Sequence, residues 1–195
     1  MAPDAARSTG QLAIAIAVIA VASLVSLVVF FIVGNPFGTL NDIGNGTVGA
    51  LSAILAWRLR AAAPGSSAWP VLVAVLGGAV TVVGSALVIS QATGFLLAGL
   101  VSSVGFALIG VWLITHARRV GSAPGAAPAL GAPRLGMLAG ALMVVGLVSL
   151  PGILLGIDDM ATAPAWIWIG FVGWLGAFVL YPLWCYRLWR STASA

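Results

Sequence analysis

From Gln11 to Val33 the chain runs for more than twenty residues without an ionisable side chain. An apolar segment of that length matches the roughly 20 residues that an α-helix needs to cross a ~30 Å hydrocarbon layer. It also exceeds the ~7–15-residue apolar core of a signal peptide, so it reads as a retained membrane span. A chain anchored in this way must satisfy the backbone polar groups of every further crossing within its own helices. Five more apolar runs follow the first at about 11–33, placed at about 39–57, 70–90, 95–115, 135–156 and 165–186. The expected fold is all-α: a polytopic membrane protein forming a single six-helix transmembrane domain over residues 1–195.

Composition supports lipid as the solvent. Only 6% of the 195 residues are charged and 62% are hydrophobic, whereas a soluble domain carries about 25% charged residues. The breaks between runs are marked by side chains that end helices. Arg58 and Arg60 close the second run, Trp69-Pro70 opens the third at a position where proline suits a first helical turn, and Ser90 to Gly94 turns the chain back at once. The fourth run ends in His116, Arg118 and Arg119, after which residues 120–133 read as a flexible Pro/Gly/Ala linker. Pro151-Gly152 interrupts the fifth run before Asp158-Asp159, and Arg187 and Arg190 end the sixth.

Charge tests the span count independently of hydropathy. If each run crosses once, Arg7, Arg58, Arg60, Arg118, Arg119, Arg134, Arg187 and Arg190 fall on one side, and Asp42, Asp158 and Asp159 on the other. Arginine excess marks cytoplasmic loops, so both termini are expected in the cytoplasm, as in a multi-pass protein of a bacterial plasma membrane. Trp57, Trp112, Trp184 and Trp189, with Tyr181 and Tyr186, fall at the arginine-bearing ends and read as interfacial anchors, while Trp166 and Trp168 fall at the opposite ends.

The charged set excludes several functions. All eight cations are Arg and all four anions are Asp, so no lysine is present to form a Schiff base with retinal. One histidine, His116, and one cysteine, Cys185, cannot build a bis-His haem site, a zinc site or a disulfide within one chain. No metal or cofactor is expected. The pI of about 10.7 is explained by arginines placed at helix ends, so no nucleic-acid partner is inferred. Cys185 stands near a helix end as a possible acylation position.

In lipid, close approach through small residues supplies helix contact. Candidate stripes are Gly46, Gly49 and Ala53; Gly77, Thr81 and Gly84; Gly99, Ser103 and Gly110; Gly136 and Gly140; and Gly170, Gly173 and Gly176. The first helix, rich in Val, Ile and Leu, has the least of this striping and is expected to be the most lipid-exposed or peripheral. The tetrapeptide LVSL occurs at Leu24 to Leu27 and again at Leu147 to Leu150, a faint echo of the internal repeats of transporters.

The segment GTLNDIGNG, Gly38 to Gly46, is the polar exception. Thr39 and Asp42 have the spacing of a helix start, with Thr39 as cap and Asp42 near the positive end of the helix dipole. Asn41 and Asn45, four apart, share a face that should point into the bundle. Two readings follow: these side chains bond neighbouring helices, or they line a polar vestibule with Gln91, Asp158 and Asp159 that holds a cation or an amine. Arg118, Arg119 and Arg134 are candidates for contact with lipid headgroups.

No serine has a base and an acid at its own depth, so no catalytic residues are assigned and an enzyme is not expected. The sequence is read as a non-enzymatic integral membrane protein that packs against lipids, an apolar ligand, a membrane-protein partner or copies of itself. The alternative is a small channel or facilitator whose mouth is Asn41, Asp42 and Asn45.

Overall fold

A computed structural model describes residues 3–62, 67–122 and 132–193, and all regular structure among them is helical. Four continuous helices come first: α1 (Pro3–Val33), α2 (Phe37–Ala61), α3 (Trp69–Ile89) and α4 (Phe95–Ser122). Two broken rods follow. The fifth rod joins α5 (Pro133–Val144), a 3-10 segment (Val145–Ser149) and α6 (Leu150–Leu154). The sixth joins α7 (Ile167–Gly170), α8 (Val172–Leu175), a π-helical segment (Gly176–Leu180) and α9 (Tyr181–Ala193). Among the described residues, five helical stretches are long and apolar enough to cross a membrane: α1, α3, α4 and the two broken rods. The exception is α2, which has the length at 25 residues but carries Asn41, Asp42 and Asn45.

Helices extend beyond the apolar runs at several ends. α1 begins at Pro3 instead of near residue 11, α2 covers Phe37–Ala61 instead of 39–57, and α4 continues past residue 115 to Ser122. The reason is that apolar composition measures hydrocarbon depth, whereas backbone hydrogen bonding continues wherever no breaker intervenes. Of the expected linker at 120–133, the first three residues belong to α4, Pro133 opens α5, and residues 123–131 lie outside the described residues.

The breaks in the fifth and sixth rods have local causes. Pro151, in the first turn of α6, has no N–H for the turn before it, and that turn is the 3-10 segment. Pro182, in the first turn of α9, withholds a donor from the π-helical segment immediately before it. The LVSL echo is thereby embedded in two different backbones: Leu24 to Leu27 in continuous α-helix, Leu147 to Leu150 across a 3-10 to α junction.

Each rod packs on the next in sequence, and the sixth closes on α1, so the six form a ring. α4 is the most enclosed, with 67% of its apolar window buried against 28% for α1, the most peripheral of the five apolar stretches. The peripheral α1 still has a packing stripe, built from Ala13, Ala17 and Ala20 around Ile16 rather than from glycine. Trp112, Trp184 and Tyr181 correct the expected aromatic belt. All three are buried, with Trp112 and Trp184 meeting edge to face at 6.1 Å, because they lie on the inward faces of α4 and α9. Trp57, Trp168 and Tyr186 remain at the surface.

Close backbone approach fixes α4 on both sides. A methyl group on Gly77 would come within 2.6 Å of the Gly105 carbonyl across the α3–α4 contact, and one on Gly140 within 2.6 Å of the Gly110 carbonyl across α4–α5. Several buried polar groups in these helices are satisfied internally. Ser52, Thr81 and Ser103 donate to the carbonyls one turn back, while Tyr181 Oη donates to Ser52 Oγ at 2.9 Å and Trp174 Nε1 to Ser103 Oγ at 2.8 Å across helices.

Gly140→Ala should therefore destabilise the bundle by about 1–3 kcal/mol through overpacking. Gly99→Ala is the control, because its nearest neighbour is a side-chain atom of Trp174 at 3.6 Å. Thermal unfolding in detergent checks both: a lowered midpoint for the first and an unchanged one for the second.

Candidate functional site

The GTLNDIGNG segment begins α2 differently from the capping pattern in its sequence. The helix starts at Phe37 with Pro36 as its N-terminal boundary residue; no side chain caps it, and its first turn holds no acid. The chain passes through Asn35-Pro36 straight into helical hydrogen bonds, with Leu40 N–H donating to the Pro36 carbonyl at 3.1 Å. Thr39 is left as an exposed side chain within the helix. Asp42 consequently sits in the second turn, roughly 8 Å along the helix at ~1.5 Å per residue, and only 9% of it is exposed.

Asn41, Asp42 and Asn45 line one small pocket between α2, α3, α4 and the sixth rod. Ser102, Phe95, Phe106, Trp174 and Phe178 complete most of the wall. The Asn41 amide N–H donates to an Asp42 carboxylate oxygen at 3.3 Å. The amide oxygens of both Asn41 and Asn45 are buried and have no hydrogen-bond partner among the described residues. The three residues thus line a cavity of about 10 Å³, which is the space of about one water molecule. Such an arrangement takes a small donor or cation and excludes an organic solute.

The other acidic-end candidates do something else. Asp158 closes the N-terminus of α4 from a distant loop: Gly94 N–H donates to one carboxylate oxygen at 2.5 Å and Leu97 N–H to the other at 2.9 Å. Asp159 organises its own turn, accepting from the Ala161 N–H at 2.9 Å and from the Thr162 hydroxyl at 3.2 Å. Gln91 is exposed in the α3–α4 turn with φ of 58°. None of these three is part of the pocket wall around Asn41.

The opposite, arginine-bearing end holds a second cavity, of about 70 Å³, between the end of α2, the start of α3 and the end of α4. Arg60, His116 and Arg119 line it with Trp112, and His116 stacks on Trp112 at 5.8 Å and meets Trp184 edge-on at 5.9 Å. All three proposed headgroup arginines are exposed, and of them only Arg119 is in this wall. The sequence held a signal for this cavity in the spacing Trp112, His116, Arg119, which follows one helical face. Cys185 is wholly buried, which removes it as an acylation position in this fold.

A third feature is a lateral groove of about 780 Å³ between α1 and the sixth rod. Its walls are Ile14, Val18, Val21, Val179, Leu183 and their apolar neighbours, with Tyr186 towards the arginine end. Among the described residues, no three His, Cys, Asp or Glu side chains gather as metal ligands would. Comparison with protein-family models, curated proteins and solved structures finds no match for this chain.

Asp158→Ala should cost about 0.5–2 kcal/mol, the range for losing a helix N-cap, and loosen the start of α4. Amide hydrogen exchange at Gly94 and Leu97 measures this, with faster exchange expected in the variant and no comparable change for Asp159→Ala.

Proposed function

We propose that the protein is a non-enzymatic, multi-pass component of a bacterial cytoplasmic membrane, with six crossings and both termini inside, which works by holding a lipid acyl chain in the groove between α1 and the sixth rod. The contrast in size between its concave features carries this reading. The groove offers about 780 Å³, within the ~300–1,000 Å³ of ligand sites, while the polar pocket admits about one water. Occupancy by an acyl chain follows from the wall chemistry: aliphatic residues along its length ask for no hydrogen bond, and Tyr186 stands where an amphipathic ring meets headgroups. Six crossings, with α2 included, keep the arginines together at the cytoplasmic face.

A specific observation favours a second reading, that of a small cation facilitator. Asp42 is buried inside α2 with two unpartnered amide oxygens beside it, and an ionisable residue within a span is by default a candidate for transport. The closed, water-sized pocket would then be one state of a path that opens.

Two measurements separate these. Val18→Trp with Leu183→Trp should fill the groove, and native mass spectrometry should then show loss of lipid that co-purifies with the unaltered protein; equal lipid retention contradicts the first reading. Liposomes containing the unaltered protein should show no cation flux above empty vesicles. Flux that Asp42→Asn with Asn45→Leu abolishes would replace the first reading with the second.

A further inference from the structure

We propose that the cavity at the arginine end, between α2, α3 and α4, is a binding site for a phosphate group held by Arg60, His116 and Arg119. It is separate from the acyl-chain groove and does not depend on it. Three elements build it by antiparallel packing: α2 and α4 bring their C-terminal ends, and α3 its N-terminal turn at Pro70 and Val71, to one level. The negative ends of the α2 and α4 dipoles favour arginine there, which explains why cations gather but not why they face a shared void.

Two observations point to a ligand. Arg60 Nε and His116 Nε2 are buried and have no hydrogen-bond partner among the described residues, although a buried polar atom normally has one. Among the described residues that line the cavity there is also no carboxylate, so Arg60 and Arg119 meet no counterion there. An anion in the cavity would give the two arginines the counterion that the described wall residues do not supply. A phosphate group suits the donors, because guanidinium forks pair with its oxygens two at a time and an imidazole N–H adds a third direction. Space agrees. About 70 Å³ is several times the ~10–15 Å³ that one water needs, yet far below a nucleotide-sized site.

The wall also holds His116 in place. Its ring is stacked on buried Trp112 and bounded by Trp184, so the imidazole is held at the cavity wall without the cost of ordering a free side chain. The Thr115 hydroxyl donates to the Trp112 carbonyl at 2.7 Å and is already committed. The phosphate can come from two sources, a phospholipid headgroup or a soluble phosphate, because helix ends in the membrane interface meet both.

The test uses the full chain and two probes. Inorganic phosphate is titrated into detergent-solubilised protein with tryptophan fluorescence as readout, Trp112 being in the cavity wall. Nanodiscs mixing phosphatidylglycerol with phosphatidylcholine are analysed for lipid retained by the protein. Saturable binding of at least one probe is expected, and Arg60→Gln with Arg119→Gln should weaken it about tenfold or more. Arg118→Gln, at the same end but outside the cavity, should leave it unchanged. Response to inorganic phosphate assigns a soluble ligand, and selective retention of phosphatidylglycerol assigns a headgroup. Absence of both in the unaltered protein, or an equal loss in Arg118→Gln, overturns the proposal. If the double variant does not fold, the unaltered protein decides: a fluorescence change that chloride at equal ionic strength reproduces also overturns it.

Discussion

α2 is the helix that a bilayer would reject on its own, and its burial organises the bundle. Asn41, Asp42, Asn45 and Ser52 occupy its inward face with Gly44, Gly46 and Gly49 between them. Hydrocarbon offers these groups no hydrogen bonds, so the face must be sealed by protein. α1 closes it where Ser23 lies against Gly44, α3 where Ser85 and Thr81 lie against Gly46 and Gly49, and α9 where Tyr181 reaches Ser52. The glycines make this possible, since each leaves the room that a neighbouring hydroxyl-bearing side chain fills. The ring of six rods is the arrangement that gives α2 a partner on both sides.

The two ends of the ring have opposite chemistry. At the acidic end the buried acceptors of α2 outnumber their donors, and the pocket they share is as small as a water molecule. At the arginine end Arg60 Nε and His116 Nε2 are buried without a partner among the described residues, and the cavity is larger. Between them the core is aliphatic and aromatic, with Ile109, Leu113, Met143 and Trp184 packed around α4. The only large concavity among these three lies outside the ring, on its lipid-facing side, which is why the functional reading is built on that surface instead of on a path through the centre.

Much of this architecture was legible in the sequence because lipid imposes few rules and the chain follows them. Apolar runs located the rods, charge sorted their ends, and small-residue spacing found contacts such as Gly110 with Gly140. What the sequence concealed was orientation. Trp112, Trp184 and Tyr181 have the composition of interfacial anchors, yet they face inward, and nothing in a single helix reports which face its neighbours will claim. Thr39 and Asp42 matched a capping pattern, but the preceding Asn35-Pro36 turn let the helix begin two residues earlier and carried Asp42 inside. Asp158 was a candidate for the polar vestibule, yet folding brings it against the start of α4, more than sixty residues away in sequence. The cavity of Arg60, His116 and Arg119 draws on two helices separated by a third, and no local pattern joins them.

Whether α2 crosses is the point on which the account turns, because it sets the parity of every later rod. Single cysteines at Asn35 and Ser67, both exposed and at opposite ends of α2, can be probed with a membrane-impermeant maleimide on intact cells, the native Cys185 being buried. Labelling of the cysteine at position 35 in intact cells, with position 67 labelled only after permeabilisation, is the predicted result. Both positions reacting from the same side would contradict it.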